Sequence, residues 1–185
     1  MLQFVEGPGG TTTLVTGWPE TRSHRPCDPL DVLLPGGALR DPGVLARARR
    51  ALAGLCTTLA ALHAHRVVHG GLTPAGLLML DDGTLQLRDL ARIDPAAPEY
   101  PAPEQLARAA AGPWTDVYQV GAIAHHLLTG RHPSPHAPLP IRRWESDIPT
   151  DLAEAIDAAL VADPSKRPNA AVLGARLRGP AHPIR

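Results

Sequence analysis

The spacing of hydrophobic residues changes three times along the chain, and these changes predict an α+β protein that is mostly helical. Leu2–Glu6 and Thr11–Trp18 are short runs rich in apolar and β-branched residues, separated by a Gly-Pro-Gly-Gly stretch at 7–10. Two such runs around a glycine-rich turn are typical of a β-hairpin. Residues 19–41 are rich in proline, glycine and aspartate, and they predict a loop with one helical turn at Asp28–Leu33.

A long amphipathic helix is predicted to follow this loop. Asp41 is suited to the N-cap and Pro42 to the first helical position, and the pattern extends to His63. Apolar residues recur at steps of three and four and form one stripe: Leu45, Ala48, Leu52, Leu55, Leu59 and Leu62. Three arginines lie mostly off this stripe and are predicted to face solvent: Arg47, Arg49 and Arg50.

The second half of the chain begins with short strands and continues with helices only. Leu77–Leu80 and Thr84–Arg88 flank an Asp-Gly turn and predict a second hairpin. Trp114–Thr129 predicts a helix that Thr115 caps and that Gly130 ends. The proline-rich residues 131–149 predict a loop, and two further helices are predicted after it: Asp151–Val161 and Asn169–Arg178.

The net charge, the cysteines and the lengths of the apolar runs indicate which kinds of partner and which cellular compartment to expect. The chain has 185 residues with 18 basic and 18 acidic side chains, so it carries no net charge that would attract nucleic acid or an anionic membrane. Cys27 and Cys56 are isolated in sequence, which predicts free thiols in a reducing compartment. The start lacks the pattern of a secretory leader, and no apolar run approaches about 20 residues. We therefore expect a soluble cytoplasmic protein.

Six motifs follow one another at plausible spacing, and together they resemble the C-terminal lobe of eukaryotic-type Ser/Thr protein kinases over about 11–177. The likeness is strongest at Ala-Pro-Glu and at Asp-Pro-x-x-Arg-Pro. In chain order the motifs are Leu62-His63 with Val67-Val68-His69, Arg88-Asp89-Leu90-Ala91, Ala102-Pro103-Glu104, Asp116-Val117-Tyr118-Gln119-Val120-Gly121, Leu128-Thr129-Gly130-Arg131-His132-Pro133 and Asp163-Pro164-Ser165-Lys166-Arg167-Pro168.

The loop that carries catalysis in this family departs from the family pattern. His69, Leu72 and Pro74 match its frame, but Gly71 stands where the family has the Asp that accepts the substrate proton. In the same loop a Lys and a magnesium-binding Asn are replaced: Thr73 and Gly76 occupy their positions. Glycine has no side chain with which to bind a metal or accept a proton. The resemblance therefore implies a kinase-like lobe without catalytic residues.

Residues that shape the lobe are retained. The resemblance implies a buried ion pair between Glu104 and Arg167, which ties the activation segment to the helical base. It also implies that Asp116 accepts backbone N–H groups of the loop and that His69 packs in the core of the lobe. Residues 89–104 contain a single hydroxyl side chain, Tyr100, so activation by phosphorylation has no evident acceptor.

The resemblance leaves a weak, vestigial nucleotide site as an open alternative. Asp89 matches the family's magnesium ligand, although an anchor for backbone N–H groups is the favoured role, and Leu78 lies at the family's adenine-floor position. The glycine-rich stretch at 7–10 is interpreted as a strand turn, with a phosphate cradle as the alternative, and no Lys precedes Lys166. The closely spaced histidines lack metal-ligand spacing on one helical face and are interpreted as surface or core residues: His63, His65, His69, His125 and His126.

The implied domain order is an N-lobe remnant hairpin at 1–20, a hinge-like loop at 21–41, a kinase-like C-lobe at 42–178 and a tail at 179–185. The family's Gly-rich loop, its Lys-bearing strand and the helix with the Glu partner have no counterpart before Leu2. We expect a truncated pseudokinase that needs no cofactor and acts as a binding or scaffold module. Its hairpin edge and former nucleotide face would contact another protein chain or a second copy.

Two other interpretations remain open at this point. The first is a split or atypical ATP-dependent protein or peptide kinase-like subunit, in which a partner completes the nucleotide site and Asp89 holds magnesium. The second is a fragment, which results from a misassigned start codon or from an eroded gene. Neither nucleic acid nor a membrane is expected as a partner under any of these interpretations.

Overall fold

The computed structural model describes residues 2–6, 12–16, 19–23, 26–30, 41–88 and 98–179. Two separate antiparallel hairpins and a helical body make up these ranges, which confirms the mostly helical α+β prediction. The strands and helices are β1 (Leu2–Glu6), β2 (Thr12–Thr16), α1 (Pro42–Ala64), β3 (Leu77–Met79), β4 (Leu85–Leu87), α2 (Pro103–Leu106), α3 (Pro113–Thr129), α4 (Thr150–Ala159) and α5 (Ala170–Arg178). Short 3-10 turns lie at Pro74–Gly76, Ile141–Arg143 and Pro164–Lys166.

The long helix α1 begins and ends close to the predicted positions. Asp41 is its N-cap, and the Asp41 side chain accepts hydrogen bonds from the backbone N–H groups of Gly43 at 2.8 Å and Val44 at 2.9 Å. The predicted apolar stripe faces the core, where Leu55 and Leu59 are both 0% exposed. This burial, rather than helix propensity alone, stabilises the element.

One of the three arginines predicted to face solvent does not. Arg49 forms an ion pair with Asp151 of α4, and its Nε donates to the carbonyl of Leu177 of α5 at 2.9 Å. Arg47 and Arg50 are exposed, as predicted. The prediction failed for Arg49 because the helix packs over α5, and a long side chain at the edge of the apolar stripe reaches that neighbour.

The two hairpins have different surroundings. Within the described ranges β1 and β2 pair only with each other, in the register Leu2↔Thr16 to Glu6↔Thr12. In the second hairpin, β3 pairs with β4 and also meets the segment 26–30, since Met79 N donates to the carbonyl of Asp28 at 3.1 Å. The predicted helical turn at Asp28–Leu33 extends past residue 30 and lies largely outside the described residues.

Helix α3 runs through the centre of the helical body. Thirteen of its residues are buried, including Asp116 and Gln119, and Gly130 ends it with a left-handed φ of 68°. The predicted cap at Thr115 is wrong because the helix starts earlier, with Gly112 at the N-cap. Thr115 lies three residues inside, where its hydroxyl accepts from Gly112 N at 3.1 Å. Its role is therefore to close the first turn from within.

Both cysteines lie in the described part of the chain. Cys27 and Cys56 are both buried, and neither is part of a disulfide. Burial raises the pKa of Cys56 to about 12, so its thiol stays protonated. Within the described ranges, no helix is both long and apolar enough to cross a membrane.

Candidate functional site

The loop that follows α1 is held in shape by one buried carboxylate. Asp116 is 0% exposed and lies in the first turn of α3. Its Oδ2 accepts from His69 N at 3.0 Å, and its Oδ1 accepts from Gly70 N at 2.7 Å. His63 Nε2 lies 2.8 Å from Asp116 Oδ2 and joins α1 to the same carboxylate. The arrangement fixes where the loop starts.

Two glutamines that the sequence analysis did not single out hold the middle of the loop. Gln119 is 0% exposed, and its Oε1 accepts from Leu72 N at 2.9 Å. The carbonyl of Gly70 accepts from both amide groups, from Gln105 at 2.8 Å and from Gln119 at 3.2 Å. The signal was available: Gln119 follows Asp116 by three residues, which places both side chains on one face of α3.

Of the loop positions 71, 73 and 76, only Thr73 has a polar side chain, and that side chain stabilises the backbone. Thr73 caps the 3-10 turn, and its Oγ1 accepts from Gly76 N at 3.1 Å. A Cβ atom added at Gly71 would meet no atom of the described residues within 4 Å, so these residues leave space beside this position. The backbone at 71 would accept a side chain, and the sequence supplies none.

His69 lies at the edge of the loop rather than deep in the core. Its side chain is half-buried, and its Nε2 lies 2.8 Å from the carbonyl oxygen of Arg88. This bond links the loop to the residue just before 89–97, a segment that includes Asp89 and lies outside the described residues. His69 therefore ties two chain segments together through its ring nitrogen.

Glu104 and Arg167 form a bidentate ion pair between α2 and the turn before α5. Arg167 Nη1 donates to Glu104 Oε1 at 2.8 Å, and Nη2 donates to Oε2 at 2.9 Å. The Arg167 side chain is 0% exposed and the Glu104 side chain 7%. Burial opposes ionisation of Glu104, but hydrogen bonds from Arg167 and Thr115 outweigh it and lower the pKa of Glu104.

Further hydrogen bonds and a cation–π contact stabilise this ion pair. Arg167 also donates to three carbonyl oxygens, and its guanidinium carbon lies 4.9 Å from the centroid of the Tyr118 ring. The Thr115 hydroxyl donates to Glu104 Oε1 at 2.8 Å. The pair thus connects α2, α3 and the chain before α5, with each buried donor matched to an acceptor.

Leu78 does not lie on an exposed nucleotide-facing surface. It is 0% exposed, and its backbone forms a β-bridge with Pro29. The expectation of an exposed Leu78 failed because the segment 26–30 packs against β3 through this isolated bridge, a long-range contact that no local sequence pattern indicates. In the described part of the chain, no group of three His, Cys, Asp or Glu side chains is arranged to hold a metal ion.

Three ring side chains pack together where the segment that begins at residue 98 meets the C-terminal end of α3. Tyr100 is 2% exposed, and its hydroxyl lies 2.7 Å from His126 Nδ1. The His132 ring stacks on Tyr100 at a centroid distance of 4.8 Å and lies 4.1 Å from the His126 ring. Burial lowers the pKa of His126, and the neighbouring His132 lowers it further.

The stability of the protein should fall on mild acidification because of these rings. The pKa of His126 lies below the ordinary histidine value of about 6.5, so the unfolded chain takes up this proton first as the pH falls. Stability is then fully present above about pH 6.5 and declines as the pH falls through the folded-state pKa. We expect His126→Asn, which keeps an acceptor for Tyr100 but does not titrate, to reduce this decline. Urea denaturation between pH 7.5 and pH 5.5 measures it.

The control for this experiment is His136→Asn, since His136 is exposed. It should keep the pH dependence of the wild type. Burial also lowers the pKa of His125, so part of the decline should remain in His126→Asn. Identical slopes for the wild type and His126→Asn would contradict the prediction.

Comparison with curated proteins finds protein kinases. "Hormonally up-regulated neu tumor-associated kinase" of Mus musculus is 32% identical in an alignment of 150 positions, which covers 67% of this chain and 21% of that protein. "Serine/threonine-protein kinase PknL" of Mycobacterium tuberculosis is 30% identical in an alignment of 135 positions, which covers 64% of this chain and 33% of that protein. "Inactive serine/threonine-protein kinase PLK5" of Mus musculus is 32% identical in an alignment of 139 positions, which covers 64% of this chain and 23% of that protein. The chain thus spans a third or less of the length of these relatives.

Solved structures agree on the fold. The kinase domain of PknI from Mycobacterium tuberculosis superposes on 82% of this chain and 61% of that domain, with a TM-score of 0.66 and 22% identity. A variant of that domain gives a TM-score of 0.68 over 82% of this chain. The fold is therefore that of a protein kinase domain over most of the chain. No protein-family model matches. Together with the curated relatives, these similarities identify the chain as a protein-kinase-like family member.

Proposed function

We propose that the chain is a catalytically inactive kinase-like module that binds a partner protein as a scaffold. The observation that carries this proposal is the state of the loop at 69–76. Asp116, Gln119 and Gln105 hold its backbone through hydrogen bonds, yet position 71 is a glycine, and the described residues leave space for a side chain there. A well-formed loop that lacks a proton acceptor supports retention of the fold without phosphoryl transfer.

Other residues of the loop support the same conclusion. Thr73 stands at the family's Lys position, and its hydroxyl caps the 3-10 turn. Gly76 is buried inside that turn and offers no ligand to a metal ion. One of the curated relatives carries the word "Inactive" in its name, while others are named as kinases. Loss of activity therefore has a precedent among proteins similar to this chain.

The β1–β2 hairpin is the surface proposed for the partner. Within the described ranges its strands pair only with each other, so each has an outer edge of backbone N–H and C=O groups without a strand partner there. An isolated two-stranded hairpin is marginally stable in water, and such edges pair readily with a strand of another chain. With Leu78 buried, the proposal rests on this edge and not on an exposed adenine floor.

The test measures nucleotide binding and phosphoryl transfer together. A nucleotide bound at a hundredfold excess over Kd stabilises a protein by about 2.7 kcal/mol, which raises the Tm by roughly 5–10 °C for a chain of this size. We expect Mg-ATP to leave the Tm unchanged and radioactive ATP to label neither the chain nor an added protein substrate. Both measurements are made on the chain alone and with any co-purified partner.

The competing function is a split kinase-like subunit in which Asp89 holds magnesium. If labelling or stabilisation occurs and Asp89→Ala abolishes it, the inactive module is the wrong proposal. Asp82→Ala is the matched control, because Asp82 is an exposed aspartate in the β3–β4 turn. Size-exclusion chromatography with light scattering tests the partner role, and a monomer with no partner under native conditions would contradict it.

A further inference from the structure

A cavity of about 190 Å³ opens beside the C-terminal end of α3, away from the loop at 69–76. We call it the Arg131–Trp144 cavity. Arg131, His132 and Pro133 form one part of its wall, and Leu139 and Trp144 form another. All five belong to the proline-rich segment between α3 and α4, and no residue of the loop at 69–76 is among the described residues that line the cavity.

The cavity presents two large apolar side chains to solvent. Leu139 is 49% exposed and Trp144 is 44% exposed, which are high values for residues of this size. Complete burial of such a side chain is worth roughly 1.5–3 kcal/mol. Tryptophan is also enriched among the few residues that carry most of the binding energy at protein interfaces. The pair therefore favours an apolar side chain as the occupant.

The guanidinium of Arg131, which has no acidic partner among the described residues, lies next to this apolar surface. The guanidinium carbon of Arg131 lies 4.9 Å from the centroid of the Trp144 ring. Arg131 forms no ion pair with any of the described residues, and no carboxylate lines the cavity. The buried His125 ring holds the backbone here, since its Nδ1 lies 2.9 Å from the Arg131 carbonyl oxygen. The backbone of Arg131 is therefore held in place, and its guanidinium lies beside the Trp144 ring.

Glu145 and Asp147 are the carboxylates nearest to Trp144 in sequence, and neither is among the described residues that line the cavity. Both already interact with other groups, as does Asp157 of α4. Asp157 Oδ1 accepts from Ile141 N at 2.9 Å, and Asp147 Oδ1 accepts from Ser146 Oγ at 3.0 Å. Two more arginines follow in the same segment and are exposed, Arg142 and Arg143. The segment 131–149 holds three arginines and two carboxylates, a formal charge of +1, and the described lining of the cavity itself holds Arg131 and no carboxylate.

We propose that the Arg131–Trp144 cavity binds an acidic segment of a partner protein. An aliphatic or aromatic side chain of that segment packs against Trp144 and Leu139, and a neighbouring carboxylate pairs with Arg131. A peptide fits better than nucleic acid, because a single arginine and several apolar residues line the cavity. The site is separate from the hairpin edge and does not depend on whether the chain transfers phosphate.

A random dodecapeptide library displayed on phage tests the proposal, with the full chain immobilised at low salt. We expect enrichment of sequences that place Asp or Glu next to Leu, Phe or Trp. An enriched peptide, synthesised with a fluorophore, should lose affinity by roughly tenfold on Arg131→Glu and by a similar factor on Trp144→Ala. Its twin with Lys in place of each acidic residue should bind Arg131→Glu more tightly than it binds the wild type.

Arg143→Glu is the matched control, because it makes the same change of charge at an exposed residue outside the cavity lining. It should change the affinity by no more than about twofold at physiological salt. Thermal unfolding of each variant checks that the fold is intact. The absence of an acidic consensus, or equal losses for Arg131→Glu and Arg143→Glu, would overturn the proposal. A labelled oligothymidylate that shows the same dependence on Arg131 and Trp144 would assign the cavity to nucleic acid instead.

Discussion

Glu104→Ala should reduce the free energy of unfolding by about 3–5 kcal/mol, because it leaves the Arg167 guanidinium buried without its counter-charge. That side chain is 0% exposed, and two of its nitrogens donate to Glu104 at 2.8 Å and 2.9 Å. The substitution also removes the acceptor of the Thr115 hydroxyl. Urea denaturation at pH 7.5 measures the loss, and a fluorescence-detected melt should show a lower Tm.

Lys166→Ala provides the control for this experiment. Lys166 is adjacent to Arg167 and carries the same charge, but its side chain is 72% exposed and it lies 3.5 Å from Asp163 in a surface pair. Exposed pairs of this kind contribute about 0–1 kcal/mol, so the variant should differ little from the wild type. A loss for Glu104→Ala no larger than that of Lys166→Ala would show that the buried pair does not stabilise the fold.

Asp116→Ala should cost about 2–4 kcal/mol and should release the loop at 69–76. The change leaves the backbone N–H groups of His69 and Gly70 without their acceptor, and each unsatisfied buried donor costs about 1–3 kcal/mol. His63 loses its partner on α3 as well. Hydrogen exchange followed by NMR reports the local effect, since the amides of His69 and Gly70 should exchange much faster than in the wild type.

Asp82→Ala is the comparison for Asp116→Ala. Asp82 accepts hydrogen bonds from Thr84 in an exposed turn, so its removal should leave the loop amides protected. If the amides of His69 and Gly70 keep their protection in Asp116→Ala, then the glutamines rather than the carboxylate hold the loop. In that case Gln119→Ala should produce the loss instead.

The secondary structure was largely predictable because local patterns determine it. The Asp41 cap and the apolar stripe specified α1, and the glycine at 130 specified the end of α3. The N-terminal boundary of α3 was missed by one residue, because Pro113 rather than Trp114 takes the first helical position. The short helix α2 was also missed, since four residues carry too little periodicity to reveal it.

The candidate site was predictable only in part. Motif spacing pointed to Asp116, Glu104 and Arg167, and the structure brings the last two within hydrogen-bond distance across 63 positions of sequence. Motif spacing did not point to Gln105 or Gln119, because an amide side chain has many possible partners, although the step of three from Asp116 to Gln119 places those two side chains on one face of α3. The site roles of Asp89 and the domain boundaries remain predictions.

The sequence by itself determined which chemical groups are present, and the absence of a side chain at Gly71 is a property of the sequence alone. Only the tertiary structure decided which surfaces meet solvent. Arg49 and Leu78 were both expected at the surface, yet one pairs with Asp151 and the other is 0% exposed. The reason is physical: local patterns record how a residue relates to its own helix or strand, whereas burial depends on which distant segment packs against that element.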